Sequence, residues 1–275
     1  MASDDPTSAE PEPEEMPAGR PPPLLERLRG VLLDPAATFA RHDPGWGWLL
    51  PWLIVSAAGV LYGLLVLGVV DVGALARAGF EREASERSTA PAGDEEDDRQ
   101  DDAEAARKPV QLTTGQKLRL FGRKLSLVAG PPLFGLVGLV FAGGFAWLAA
   151  VALGPRGQHR ELLRGVSIAA WAGLADLGGY ALRVPAVLLG NPDPETNPAH
   201  VVDAFESPLL AAALGRFDPV LAWYYALFAL GLAGSYRLAG ARAAAAALGL
   251  WILASLPHLG IGLLAKLGQT MGGGA

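Results

Sequence analysis

"AAWAGLADLGGYALRVPAVLLG", residues 169–190, is apolar from end to end except for Asp176 near its middle and Arg183 two helical turns later. In water such a stretch belongs at the centre of a large core. In lipid it is a membrane span with a charge inside it. An ionised carboxylate at mid-bilayer costs about 2.5–3.5 kcal/mol on insertion scales, so Asp176 must be protonated, paired or facing water. The solvent around this segment decides the fold, and the rest of the chain points to lipid.

Of the 275 residues, 51% are hydrophobic and only 18% are charged, and the mean hydropathy is +0.29. A soluble domain carries about 25% charge. The charges here crowd into the N-terminal tail and residues 81–124, which leaves long stretches nearly bare. Uncharged runs of about 18 residues or more read as membrane spans. Five segments qualify: 48–70 (WLLPWLIVSAAGVLYGLLVLGVV), 128–153, 165–189, 219–240 and 243–265. Each must be helical, because lipid offers nothing to hydrogen-bond with the backbone. The expected fold is therefore all-α: a polytopic bundle of five transmembrane helices within a membrane domain spanning 23–265.

The flanking segments fit this frame. Residues 1–22 are acidic and Pro-rich, lack the basic and apolar regions of a secretory signal, and are expected to be disordered. In 23–41, Leu24, Leu28 and Leu32 recur every fourth residue with Glu26, Arg27 and Arg29 on other faces, which predicts an interfacial amphipathic helix. Asp34 and Pro35 then read as the cap and first position of a second helix. The acidic low-complexity insert 81–108 reads as a solvated linker, Ser207–Pro208 as the start of a short surface helix, and 266–275 as a short flexible tail.

Orientation follows the arginines and lysines at span ends. Arg27, Arg29 and Arg41 precede the first span, Arg156, Arg160 and Arg164 follow the second, and Arg237 and Arg242 follow the fourth. This places the N-terminus in the cytoplasm and the C-terminus outside. Lys117, Arg119, Arg123 and Lys124 lie on the opposite side, at the end of a connection approaching the length at which the rule weakens.

Three stretches carry a resemblance. "RLRGVLLDPAATFARH" (27–42), "RELLRGVSIAAWA" (160–172) and "FDPVLAWYYALFALGL" (217–232) together resemble the Yip domain family, whose founding members are Ypt/Rab-interacting membrane proteins. Pro35 and Phe39 before the first span, and Asp218, Trp223 and Gly231 in the fourth, match the family pattern. The resemblance implies five spans, a cytoplasmic N-terminus and trafficking-related ancestry, and it supplies no catalytic residues. The Ala-, Gly- and Arg-rich composition and the long acidic insert point to a bacterial chain, multi-pass in the inner membrane.

Enzyme signatures fail on context. "GIGLLA" (260–265) has the letters of a dinucleotide fingerprint but follows no strand. His42, His159, His200 and His258 are scattered without metal-ligand spacing, and the chain has no cysteine. No cofactor and no nucleic-acid partner is expected, since no basic stripe is interleaved with aromatics. The expected partners are the lipid bilayer and other membrane proteins or a second copy. Asp176, Tyr180 and Arg183 share one helix face, and His258 lies at a similar depth in the fifth span. This candidate polar cluster has two readings. In one, Asp176 hydrogen-bonds a neighbouring helix and fixes packing in a non-enzymatic membrane-organising or protein-binding molecule. In the other, Asp176, Arg183 and His258 form an ion or proton path in a small transporter or channel component. Small residues four apart, Ala169 and Gly173, Ala175 and Gly179, Gly231 and Ser235, suit close helix packing.

The orientation is directly testable, because single cysteines introduced into this cysteine-free chain report their side of the membrane. Gln158→Cys and Ala239→Cys should label from the cytoplasm and Glu95→Cys from outside. Cytoplasmic labelling at residue 95 would overturn this topology.

Overall fold

The computed structural model describes residues 23–41, 46–69, 113–155, 161–191, 196–201 and 207–272. The tail 1–22, the insert 81–108, His42, His159, Arg156 and Arg160 lie outside the described residues.

Every regular element among the described residues is helical. The order is α1 (Leu24–Leu33), α2 (Pro35–Ala40), a 3-10 turn (Trp46–Trp48), α3 (Leu49–Val69), α4 (Thr114–Leu153), α5 (Leu162–Ala172) and α6 (Ala175–Leu188). A second 3-10 turn (Pro198–Val201), α7 (Pro208–Leu214), α8 (Pro219–Ser235) and α9 (Gly240–Gly272) complete it. Three of these, α3, α4 and α9, are individually long and apolar enough to cross a membrane. The short α7 and α8, bent by 49° across the Gly215–Asp218 break, qualify together.

Three elements differ from expectation. The segment 165–189 is two helices, because the chain tightens at Gly173–Leu174, where Leu174 N–H bonds Trp171 O and Asp176 N–H bonds Gly173 O. The basic stretch before 128 runs directly into its span, in keeping with its amphipathic pattern. A capping box at Thr113, reciprocated by Gln116, starts a single 40-residue helix that passes through Pro131 and Pro132. Helix α9 continues to Gly272, through most of the segment expected to be a flexible tail, and no glycine run interrupts it before Gly272. Helix α8 ends at Ser235 instead of 240, where Arg237 adopts the left-handed conformation with φ 52° and turns the chain into α9.

The bundle is organised around α5. Ser167 through Ala172 are all at or below 4% exposed, so this helix has no solvent- or lipid-facing side over that stretch. It packs against α3, α4, α8 and the first 3-10 turn. Close approach is possible because the contacts are made by glycine. A Cβ on Gly143 would stand 2.6 Å from Val166 Cα, and one on Gly231 would stand 2.5 Å from Ile168 Cγ2. Outward faces are apolar instead of polar: Leu61 is 67% exposed, Phe134 73%, Leu182 62% and Leu264 69%. So much exposed apolar surface on so many helices is what a lipid solvent requires.

One end of the bundle is tied by polar contacts to helix ends. Arg164 donates to Ser235 O at 3.1 Å, Arg242 donates to Leu153 O at 3.0 Å, and the Tyr236 hydroxyl donates to Glu161 O at 2.7 Å. The guanidinium groups satisfy carbonyls that a helix C-terminus leaves unpaired and complement its dipole. Here α2 docks. Asp34 caps it, accepting from Ala37 N–H at 3.3 Å, and Pro35 occupies its first position. Phe39, 1% exposed, is driven into the core, and Ser235 donates to its carbonyl at 2.9 Å. Of the α1 leucine row, Leu28 packs on the core beside fully buried Val31, while Leu24 and Leu32 face outward with Leu25 and Leu33. Ser207, expected to cap α7, makes no side-chain cap bond, although Pro208 does open that helix.

Adjacent glycines provide an internal control for the packing argument. Gly143 meets Val166, whereas a Cβ on Gly144 would have nothing within 4 Å. Gly143→Ala should destabilise the detergent-solubilised protein by about 1–3 kcal/mol through overpacking. Gly144→Ala should be neutral or stabilise it by up to about 1 kcal/mol from helix propensity. Thermal unfolding of the two variants side by side checks the pair.

Candidate functional site

The polar residues of the α6 face meet a partner at the mouth of α8. Asp218 is the N-cap of α8. Its Oδ1 accepts from Val220 N–H at 2.7 Å, as the Asp–Pro sequence at a helix start favours. Its other oxygen accepts the Thr196 hydroxyl and lies 3.5 Å from Arg183 Nη2, which also donates to Thr196 Oγ1 at 3.3 Å. Asp218 is 8% exposed. Its buried charge is therefore matched by one guanidinium, one hydroxyl and one backbone N–H, the combination a desolvated carboxylate needs.

Around this pair lies a polar cavity of about 370 Å³, lined by Asp176, Tyr180, Arg183, Asn197, Arg216 and Asp218 among others. Asp176, Tyr180 and Arg183 are thus brought together, as their shared face implied. Tyr180 also packs its ring on Tyr62 of α3, centroids 5.4 Å apart. His258 does not join them: it stands exposed on α9 and lines neither this cavity nor the next. Thr196, Asn197 and Arg216 were not singled out from sequence. Thr196 sits in a Pro-rich connection that carries no periodic signal. Asp218 was noted for the family pattern but not as the partner of Arg183.

Asp176 itself occupies the first turn of α6, directly after the break. An acid there is favoured by the helix dipole. Among the described residues nothing hydrogen-bonds or ion-pairs with its carboxylate. It faces open space on two sides, because a second cavity of about 290 Å³ begins at the same residue. That cavity lies between α3, α4, α5, α6, α8 and α9 and opens to the surface at the exposed residues Gly135, Gly138, Phe141 and Asp176.

The remaining family-pattern residues have plain structural places. Gly231 is the contact with α5, Phe39 is the plug of α2, Pro35 opens α2, and Trp223 is 44% exposed on the outer side of α8. Among the described residues no group of three or more His, Asp or Glu side chains is arranged to hold a metal.

The two carboxylates should respond differently to mutation. Asp218→Ala removes a cap, worth about 1 kcal/mol, and also strands Arg183, so the total should exceed that figure. Asp176→Asn keeps size and hydrogen-bonding capacity where no partner is lost, and should change stability by less than about 0.5 kcal/mol. Thermal unfolding in mild detergent reads both, and equal losses would contradict the assignment of Asp218 as the structural carboxylate.

The sequence model of the Yip1 domain matches residues 29–261, from within α1 to within α9. No curated protein and no solved structure matches the chain significantly. With most of its length matched, with Pro35, Phe39, Asp218 and Gly231 at the joints of the fold, and with apolar helices turned outward, the chain belongs to the Yip1 domain family and is a multi-pass, all-helical membrane protein.

Proposed function

We propose that the protein is a non-enzymatic organiser of the membrane, acting on the bilayer or on neighbouring membrane proteins from the cytoplasmic side of a bacterial inner membrane. The reading takes α3, α4, α5 with α6, α8 and α9 as five spans, with the N-terminus inside and the C-terminus outside. The observation that carries it is the α1–α2 pair. Val31 and Phe39 fasten the pair to the basic end of the bundle, while Leu25, 79% exposed, and Leu33, 71% exposed, point away from the protein. Charged residues Glu26, Arg27 and Arg29 share the helix with these leucines. A helix of this kind lies in the headgroup boundary with its leucines in the acyl region. Held rigidly by the core, it wedges one leaflet.

A second reading, a small transporter or channel component using Asp176, Arg183 and His258, draws on the two cavities that meet at Asp176. In its favour are the unpartnered carboxylate and the polar cavity beside it. The pairing of Arg183 with Asp218 and the outward position of His258 weigh for the organising role.

The test is reconstitution into liposomes containing anionic lipid, with vesicle shape read by electron cryomicroscopy. The wild type should shift the population to smaller or tubular vesicles. The Leu25→Glu/Leu33→Glu variant should insert and unfold like the wild type, since both side chains are exposed, yet lose the effect. Each leucine withdrawn from the acyl region forfeits about 1.5–3 kcal/mol of burial. Indistinguishable vesicles from the two proteins would rule the wedge out.

A further inference from the structure

We propose that the central cavity is a binding site for a small amphipathic organic cation, an ammonium group on a compact apolar body, with Asp176 as its counter-ion. The proposal is independent of the membrane-organising role. Its first support is the company Asp176 keeps. Apart from Ser56, the lining of the cavity is otherwise apolar or aromatic, with Trp52, Val55, Leu139, Phe141 and Leu250 among it, and no lysine or arginine takes part. Arg183 is already engaged by Asp218 and Thr196, and Arg216 donates to Ser255 Oγ at 3.1 Å. One carboxylate without a partner therefore faces an apolar chamber that holds no positive charge of its own.

The second support is the chemistry of the walls. Tyr224 and Tyr225 border the cavity with Asp176 and stand edge to face, centroids 5.1 Å apart, while Tyr224 stacks on Phe228 at 6.2 Å. Trp52 of α3 also lines the cavity. Aromatic faces beside a carboxylate are the surroundings in which desolvated ammonium groups bind, by charge and by the ring quadrupole together. An inorganic cation is poorly served. A calcium-sized ion takes about six to eight oxygen ligands, whereas this lining offers the Asp176 carboxylate, the Ser56 hydroxyl and two phenols. The size also fits: about 290 Å³ is near the small end of small-molecule sites, which run from about 300 Å³ upward. Access for a polar head runs through the neighbouring polar cavity, which shares Asp176 and Leu221 with the central one.

The experiment uses the full chain in phosphatidylcholine nanodiscs with tritiated hexylamine as the probe and empty nanodiscs as background. Saturable binding is expected, competed by unlabelled hexylamine but not by hexanol or hexanoate, which share its apolar body with a neutral and a negative head. Asp176→Asn should weaken binding about tenfold or more, the scale of losing a charge-assisted contact. Ala254→Phe, which adds bulk to the cavity from α9 and leaves Asp176 in place, should abolish it. Ala254→Phe also keeps the question decidable if Asp176→Asn fails to insert. Absence of saturable binding, equal competition by hexanol, or full affinity in a folded Asp176→Asn or Ala254→Phe variant would overturn the proposal.

Discussion

Helix α5 is buried from Ser167 to Ala172, and α3, α4 and α8 are arranged by the need to touch it. Lipid gives helices no hydrophobic reason to associate, since the tails are as apolar as leucine. What remains is dispersion between surfaces brought very close, and closeness is limited by the Cβ layer. Gly143 and Gly231 remove that layer where α4 and α8 cross α5, so Val166 and Ile168 can lie against bare backbone. The same demand explains why α5 is built from small and branched side chains, with Trp171 as the one large group enclosed.

The central cavity is the complement of that packing. Helix α5 stops at Ala172, and the chain must turn at Gly173–Leu174 before α6 resumes. Beside this last turn of α5 and the break that follows, α3, α4, α8 and α9 do not close completely, and a space opens, bordered by Ala169, Ala170, Gly173 and Asp176. The two ends of the bundle then handle polarity in different ways. At the end bearing α1 and α2, arginines cap helix carbonyls. At the other end, Arg183 and Asp218 neutralise each other, with Thr196 and a helix N-terminus completing the set. Asp176 lines the same polar cavity as that pair but is bonded to neither member of it.

Much of this was legible in the sequence, because apolar run length is a local property. The all-helical membrane fold, the cap at Asp34 and the grouping of Asp176, Tyr180 and Arg183 on one face all follow from neighbours within a few positions. What was hidden depends on long-range placement. Asp218 and Thr196 lie 35 and 13 residues from Arg183, across a connection without periodicity. The interruption at Gly173 was masked because a glycine there reads equally well as a packing residue. His258 shows the limit of arguing from depth. Leu250 and Ala254 face the cavity, but every fourth residue drifts about 40° around a helix of 3.6 residues per turn. By His258 the row has rotated outward, and depth alone carries no information about that rotation.

Helix α4 runs 40 residues without a break, about 60 Å, while the hydrocarbon layer is about 30 Å thick. Its first three turns, with Lys117, Arg119 and Arg123, therefore stand clear of the acyl region as a stiff, positively charged strut. A strut continuous with a span is a lever. Load applied near Thr113 passes down a single hydrogen-bonded rod to Pro131, which lines the central cavity and stands against α3 at Gly59. The shape of the chamber is thereby coupled, mechanically and without any intervening loop, to whatever the outer end of α4 meets.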